Sequence, residues 1–474
     1  MRKSKILLIF VGIILSAIVL FLTSCGSCDN KFTNLLGSGS IGGGSGGGIT
    51  LTNGAVHIDT SSGNDWYNGA LLDGNNYYIT GWQDDGTMKY AIIKINPDLT
   101  LNYAKYYTAS GATNIGLSNS FFNPNDNTKL YVGGWYNNDG IIGEIDKNTG
   151  NLNILKRYSN SGVIALITDN TNLYGVSLNG YIIKLNLSNL SIVGSKQISG
   201  YNFASISQNS NYIATYSYNY PYGVVIIKKD LSQAVNVNTN GDQHQFPIMD
   251  ENYLYLIDKN SSNNLVISKI DISNLSSLSV SVSKEYSLSS LNGRYSGTFL
   301  SDGNIGIGIT TNETQNNLIF LKINKNDLSI MNQIKLSAKG GGNSQVVLPT
   351  MFPTTDGGFF VSRYINVGGV GYGLKMPSDF SLGTNCVFNV SNPGITENNY
   401  SYVINSNVPT LNSGGLTEIA IPTLTGVTVS TFVGCLSPAP NVMNNNVMNN
   451  NVMNNNELNN EDSLSGLNRN KPKK

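Results

Sequence analysis

The sequence predicts an all-β fold, a seven-bladed β-propeller of four-stranded blades, and three observations carry that reading. One stretch, Ala91-Ile92-Ile93-Lys94-Ile95-Asn96 followed by Pro97-Asp98-Leu99-Thr100, returns six more times, at 141–146, 181–186, 224–230, 265–271, 318–324 and 372–377. Aligning the polar residue of each copy (Lys94, Glu144, Lys184, Lys228, Lys269, Lys322 and Lys375) gives steps of 40 to 53 residues, a period that belongs to arrays of supersecondary units. Each unit reads as strands alone. In the first, residues 69–72, 77–80, 90–95 and 101–107 are apolar, β-branched or aromatic runs between Gly, Asn and Asp clusters, and no long apolar stripe at helical spacing interrupts them. Residues 50–60 lie before the first inner strand where a fourth strand of a preceding blade belongs, so they are expected to complete blade seven and close the ring.

In chain order, residues 1–24 read as an export signal: Arg2, Lys3 and Lys5 precede an apolar run that ends in Leu22-Thr23-Ser24-Cys25. That ending resembles the lipobox of bacterial lipoproteins. The resemblance implies cleavage before Cys25 and a lipid on its sulfur; the alternative is an uncleaved membrane anchor. With Gly26 after the cysteine, the enterobacterial sorting rule implies the outer membrane, where there is one. Residues 25–49 form a Gly/Ser-rich tether whose reach is about 25–30 Å. The propeller is assigned to 50–385. Residues 386–436 leave the repeat and are expected to form a small strand-rich unit, with strands near 400–404, 418–421 and 426–432. Cys386 and Cys435 bracket it. Outside the cytoplasm such a pair is expected to bond, with two free buried thiols as the alternative. Cys28 is left without a role. The tail, 437–474, repeats Val-Met-Asn-Asn-Asn and is too polar to bury a core.

Tyr78-Ile79-Thr80-Gly81-Trp82, the anchor stretch after it, and Asp356-Gly357-Gly358-Phe359-Phe360 together resemble a family of exported bacterial and archaeal propeller repeat proteins. Their units read Asp-Gly-Gly, apolar strand, Gly-aromatic, then Lys-apolar-Asp. The resemblance spans most of residues 60–436, including a closing Cys, a strand-rich tail and a second Cys. It implies a propeller and brings no catalytic motif. The chain departs from it at Glu144 and in blade four, where glycines are few.

Only 12% of residues are charged, and 29 basic residues balance 29 acidic ones. No basic field for nucleic acid and no acidic field for cations follows from that. The two histidines, His57 and His244, stand apart, and no hydrolase, zincin, phosphate-loop or dinucleotide motif is present. Asp84-Asp85-Gly86 and Asn138-Asp139-Gly140 lack the alternating ligands of a calcium loop and read as hairpin turns. No catalytic residue, metal or cofactor is therefore assigned. The distinctive side chains are aromatic. Trp82, Trp135, Tyr136, Tyr218, Tyr220 and Tyr222 fall between the second and third strands of blades one, two and four, which a propeller brings to one face. Among amides there, such rings can stack on sugars or anchor a protein; the alternative is that they pack between blades.

These readings converge on a monomeric, lipid-anchored binding or scaffolding module of the outer membrane or cell surface. Its expected partner is extended, a glycan or an envelope protein, rather than a small molecule or a nucleic acid. One alternative is an envelope-assembly scaffold like the propeller lipoprotein of the outer-membrane insertion machinery. The other is a polysaccharide hydrolase or lyase with unidentified carboxylates.

Overall fold

A computed structural model describes residues 54–58, 64–73, 76–162, 164–203, 205–217, 223–238, 247–262, 264–288, 295–311, 317–338, 350–365, 370–383 and 388–429. Cys25, Tyr218, Tyr220, Tyr222, Cys386 and Cys435 lie outside them, as do segments 1–49 and 437–474. No helix occurs among the described residues, and the strands form seven antiparallel sheets.

Each sheet is one blade, built outward in chain order. Blade one runs Asn64–Leu72, Tyr77–Asp84, Met88–Ile95, Leu101–Ala109. The recurring apolar stretch is the third strand of every blade. It is a run of apolar residues rather than an alternation because both of its faces are covered by neighbouring blades. Seven buried apolar clusters follow, one in each cleft between successive blades. The cluster between blades seven and one joins Phe360 to Ile79, Ile93 and Tyr106, so the ring is closed by packing. It is also closed by strand pairing. Gly54–Ile58 runs antiparallel to Val370–Met376, with Gly54 opposite Lys375 and Ile58 opposite Gly371, and supplies blade seven with its fourth strand as the sequence predicts.

The described part of the C-terminal segment, residues 388–429, carries short strands, but they do not form a separate small unit. None pairs with another. Phe388–Ser391 adds to the outer strand of blade six and Glu397–Asn399 to blade five. Asn405–Asn407 adds to blade four, and Asn412–Ser413 to blade three. Glu418 bridges to Tyr158 of blade two, and Leu424–Val429 adds to blade one. The segment is a belt that travels round the rim against the order of the blades, one body with the propeller rather than a unit beside it. The reason is edge chemistry. An outer strand presents unpaired N–H and C=O groups, and a polar chain of short extended pieces satisfies them. Side chains reinforce the belt: Lys156 Nζ lies 2.8 Å from Glu418 Oε1, and Gln333 and Ile395 exchange two hydrogen bonds of 3.2 and 2.8 Å.

Candidate functional site

The hairpins between second and third strands and the crossings between blades emerge on one face. Over blades one to three they form a groove of about 660 Å³, lined by Trp82, Asn114, Trp135, Asn137, Asn138, Asn160, Gly162, Leu178 and Asn179. Its volume lies in the range typical of ligand clefts.

Two strand ends build its aromatic part. Trp82 lies near the end of Tyr77–Asp84 and Trp135 near the end of Lys129–Tyr136, the equivalent strand of the next blade. The indoles meet edge to face at 4.9 Å with an interplanar angle of 76°, the arrangement favoured by the ring quadrupoles. Trp135 is 7% exposed and Trp82 half-buried. Trp135 Nε1 donates to Asn114 Oδ1 at 2.9 Å, and Tyr90 Oη donates to the Trp135 carbonyl at 3.1 Å. Gly116 makes room for the ring: a Cβ there would stand 2.2 Å from Trp135 Cζ2.

Five amides supply the polar part, and they divide by task. Asn137 is a structural cap. Its Oδ1 accepts from the backbone N–H groups of Thr113 and Asn114 and from the Thr113 hydroxyl, and its backbone sits at φ 54°. Asn179 Nδ2 donates to the Asn160 carbonyl. The side-chain amides of Asn138 and Asn160, both exposed, make no hydrogen bond among the described residues. Asn114 keeps its Nδ2 in reserve while its Oδ1 holds the indole. The groove thus offers two rings and several amide donors and acceptors, and no charged side chain among its lining residues.

The floor is ionic. Asp139 is buried and accepts two hydrogen bonds from Arg157, 2.9 Å from Nε and 2.6 Å from Nη2, while its other oxygen accepts from Asn160 N–H at 2.8 Å. Arg157 also lies 4.2 Å over the Tyr136 ring, and its Nη1 donates to the belt carbonyl of Ala420 at 2.9 Å. This one guanidinium ties the groove, the core and the belt together.

Of the aromatic set read from the sequence, the groove brings Trp82 and Trp135 together. Tyr136 belongs to the core between blades one and two, its ring covered and its hydroxyl donating to the Ser110 carbonyl. The hairpin predicted at Asn138-Asp139-Gly140 is present, but its turn is Asn137-Asn138; Asp139 and Gly140 already open the third strand, opposite Tyr136 and Trp135, and Asp139 pairs with Arg157. The groove asparagines escaped the sequence reading because Asn is common throughout the chain. The recoverable signal was position: Asn137-Asn138 and Asn179 occupy equivalent hairpins of consecutive blades. Compared with known proteins, the sequence matches no family model and no curated protein.

Proposed function

We propose that the chain is a lipid-anchored binding propeller of the cell envelope that takes an extended, uncharged glycan in the groove over blades one to three. One observation carries the reading: paired indoles beside exposed, unengaged amides, with no charged side chain lining the cleft. Sugar rings present apolar C–H faces that stack on indoles and hydroxyls that amides can bond. The span over three blades suits a polymer. The hydrolase reading is less well supported, because Asp139, which follows the lining residue Asn138, is already bonded to Arg157 and to the Asn160 N–H.

A glycan array probed with residues 50–436 tests the proposal. Trp82→Ala is expected to weaken the affinity found by tenfold or more, roughly 1.5–2 kcal/mol, with melting close to wild type. Trp135→Ala is a poorer probe, since truncating so buried a ring costs about 3 kcal/mol or more of stability. An array without hits, together with co-purification of an envelope protein sensitive to Trp82→Ala, would replace glycan by protein partner. The anchor is tested apart from the groove. Labelled palmitate is expected to enter the wild-type chain and not Cys25→Ser; equal labelling, or none in wild type, refutes lipidation at Cys25.

A further inference from the structure

Across the groove from the indoles the chemistry changes. Trp82 and Trp135 belong to blades one and two, whereas Leu178, on blade three, is the one aliphatic side chain among the described lining residues. Leu178 and Asn179 form the turn between Asn172–Ser177 and Tyr181–Asn186, the places held by Asn137 and Asn138 in blade two. Leu178 is half-buried and joins none of the seven apolar clusters between blades, so the core does not account for it. Its hairpin is pinned. Gly180 N–H donates to the Ser177 carbonyl at 3.0 Å, Ile198 N–H to the Gly180 carbonyl at 2.9 Å, and Gln197 Nε2 to the Asn179 carbonyl at 3.1 Å. Gly162, at φ 67°, lies against the leucine: a Cβ there would stand 2.9 Å from Leu178 Cβ. Gly162 N–H in turn donates to the Asn138 carbonyl at 2.9 Å. A fixed apolar contact therefore shares one groove with the exposed amides of Asn138 and Asn160.

We propose that Leu178 seats the methyl of an acetamido group, so that the polymer taken by the groove is built of acetamido sugars. The proposal rests on the glycan reading above and narrows it. A plain hexose polymer offers C–H faces to indoles and hydroxyls to amides, but it extends no apolar group toward an isolated leucine. An acetamido group does. Its methyl suits Leu178, and beside the methyl it carries one N–H donor and one C=O acceptor. The side-chain amides of Asn138 and Asn160 offer the complement of each. A deacetylated polymer would bring ammonium groups, and the lining holds no carboxylate to receive them. The pinned hairpin matters for affinity, because a contact already held in place loses little freedom on binding.

The test uses the purified full chain and two identically linked hexamers, one of N-acetylglucosamine and one of glucose, which differ only in the acetamido group. Calorimetry is expected to show the acetylated hexamer binding about tenfold more tightly or better. Saturation-transfer NMR is expected to show the strongest enhancement at the acetyl methyl protons. Leu178→Asn gives the turn the residue that blade two carries there, so the hairpin is kept. It is expected to bring the two affinities within about twofold of each other, the methyl contact being lost, and to remove the methyl enhancement. Asn160→Gly keeps the left-handed backbone at φ 53° and removes only the amide; it is expected to lower the ratio of affinities by about threefold or more. Trp82→Ala is expected to weaken both hexamers alike and to preserve the ratio. Equal affinity of the wild-type chain for the two hexamers, or a preference that survives Leu178→Asn, overturns the acetamido assignment and leaves the glycan reading standing. Binding of neither hexamer also overturns the assignment, and the glycan reading is then decided by the array alone.

Discussion

At the residue scale, the lysine that interrupts the apolar third strand of blades one, three and six is a bolt between blades. Lys94 Nζ donates to the Lys147 carbonyl at 3.1 Å, Lys184 to Lys229 at 3.2 Å and Lys322 to Ser378 at 3.0 Å, each across to the next blade. Lys375, fully buried, stays at home and pairs with Asp356 at 2.8 Å. Burial pushes the Lys375 ammonium below its usual range, against the opposing pull of Asp356. Blade two, where the repeat has Glu144, reverses the charges: Lys129 of the second strand pairs with Glu144 at 2.8 Å within the blade. The sequence makes the recurrence of the polar position visible but not its partner, because the carbonyl it reaches lies in another repeat. A prediction at this scale concerns Gly116. Gly116→Ala would place a methyl inside the Trp135 ring position, so the indole must move or the strands must part. Overpacking of this kind costs about 1–3 kcal/mol. Denaturant unfolding should show the loss, and tryptophan emission should shift to the red. Unchanged emission and stability would mean that Trp135 does not rest on Gly116.

At the scale of elements, the turn after the third strand is a device repeated nearly round the ring. Leu99, Leu190, Leu231, Leu328 and Phe380 have φ between 56° and 66°, and Gly150 takes that place in blade two with φ 70°. A left-handed leucine costs about 1–2 kcal/mol, which the burial of its side chain, about 1.5–3 kcal/mol, offsets. The residue before several of these is an aspartate that accepts from the hydroxyl and N–H of the residue after, as Asp98 does from Thr100 and Asp230 from Ser232. These hydrogen bonds hold Asp98, Asp230 and Asp379 below the usual carboxylate range, the Thr or Ser hydroxyl contributing most. A carboxylate whose folded pKa is depressed contributes stability that is present above its unfolded value, about 4, and is lost as pH falls through the folded one. Urea midpoints are therefore expected to hold from pH 7 to about 5 and to decline below about 4. Asp98→Asn, Asp230→Asn and Asp379→Asn combined should flatten the decline, and an undiminished slope would assign the acid sensitivity elsewhere. The Asp-Leu-Thr and Asp-Leu-Ser recurrence was readable in the sequence beside the strand it follows. The belt strands were not. They are two to six residues long, pair along one edge only and keep most side chains in water, so no hydrophobic periodicity records them.

At the scale of the whole molecule, the belt among the described residues pairs with the outer strands of five blades and bridges to a sixth at Tyr158. Deleting residues 386–436 should leave the strands of the blades in place while baring their outer edges and removing the apolar side chains of Phe388, Ile395, Ile404, Leu411, Leu416 and Leu424 from the clefts between blades. Exposed strand edges template association. The deleted chain is expected to lose melting temperature and to self-associate with rising concentration in light scattering. A stable monomer would mean that the blade edges need no cover. The groove depends on the same feature, since Arg157 holds both Asp139, which accepts from the N–H of the lining residue Asn160, and the belt carbonyl of Ala420, so glycan affinity should fall with the belt even though no belt residue lines the cleft.

The direction of the belt sets an order of assembly. Blades one to seven can form as the chain emerges, but Gly54–Ile58 must wait for Val370–Met376, and the rim of blade one must wait for Leu424–Val429, more than 300 residues behind it. Contacts so distant in sequence are made late and slowly. Blade one, the first to be synthesised, is thus the last to be finished. A chain cut short anywhere before Val429 displays an unpaired strand at its oldest blade, so the open rim marks an incomplete molecule to any protease or chaperone that surveys exposed edges.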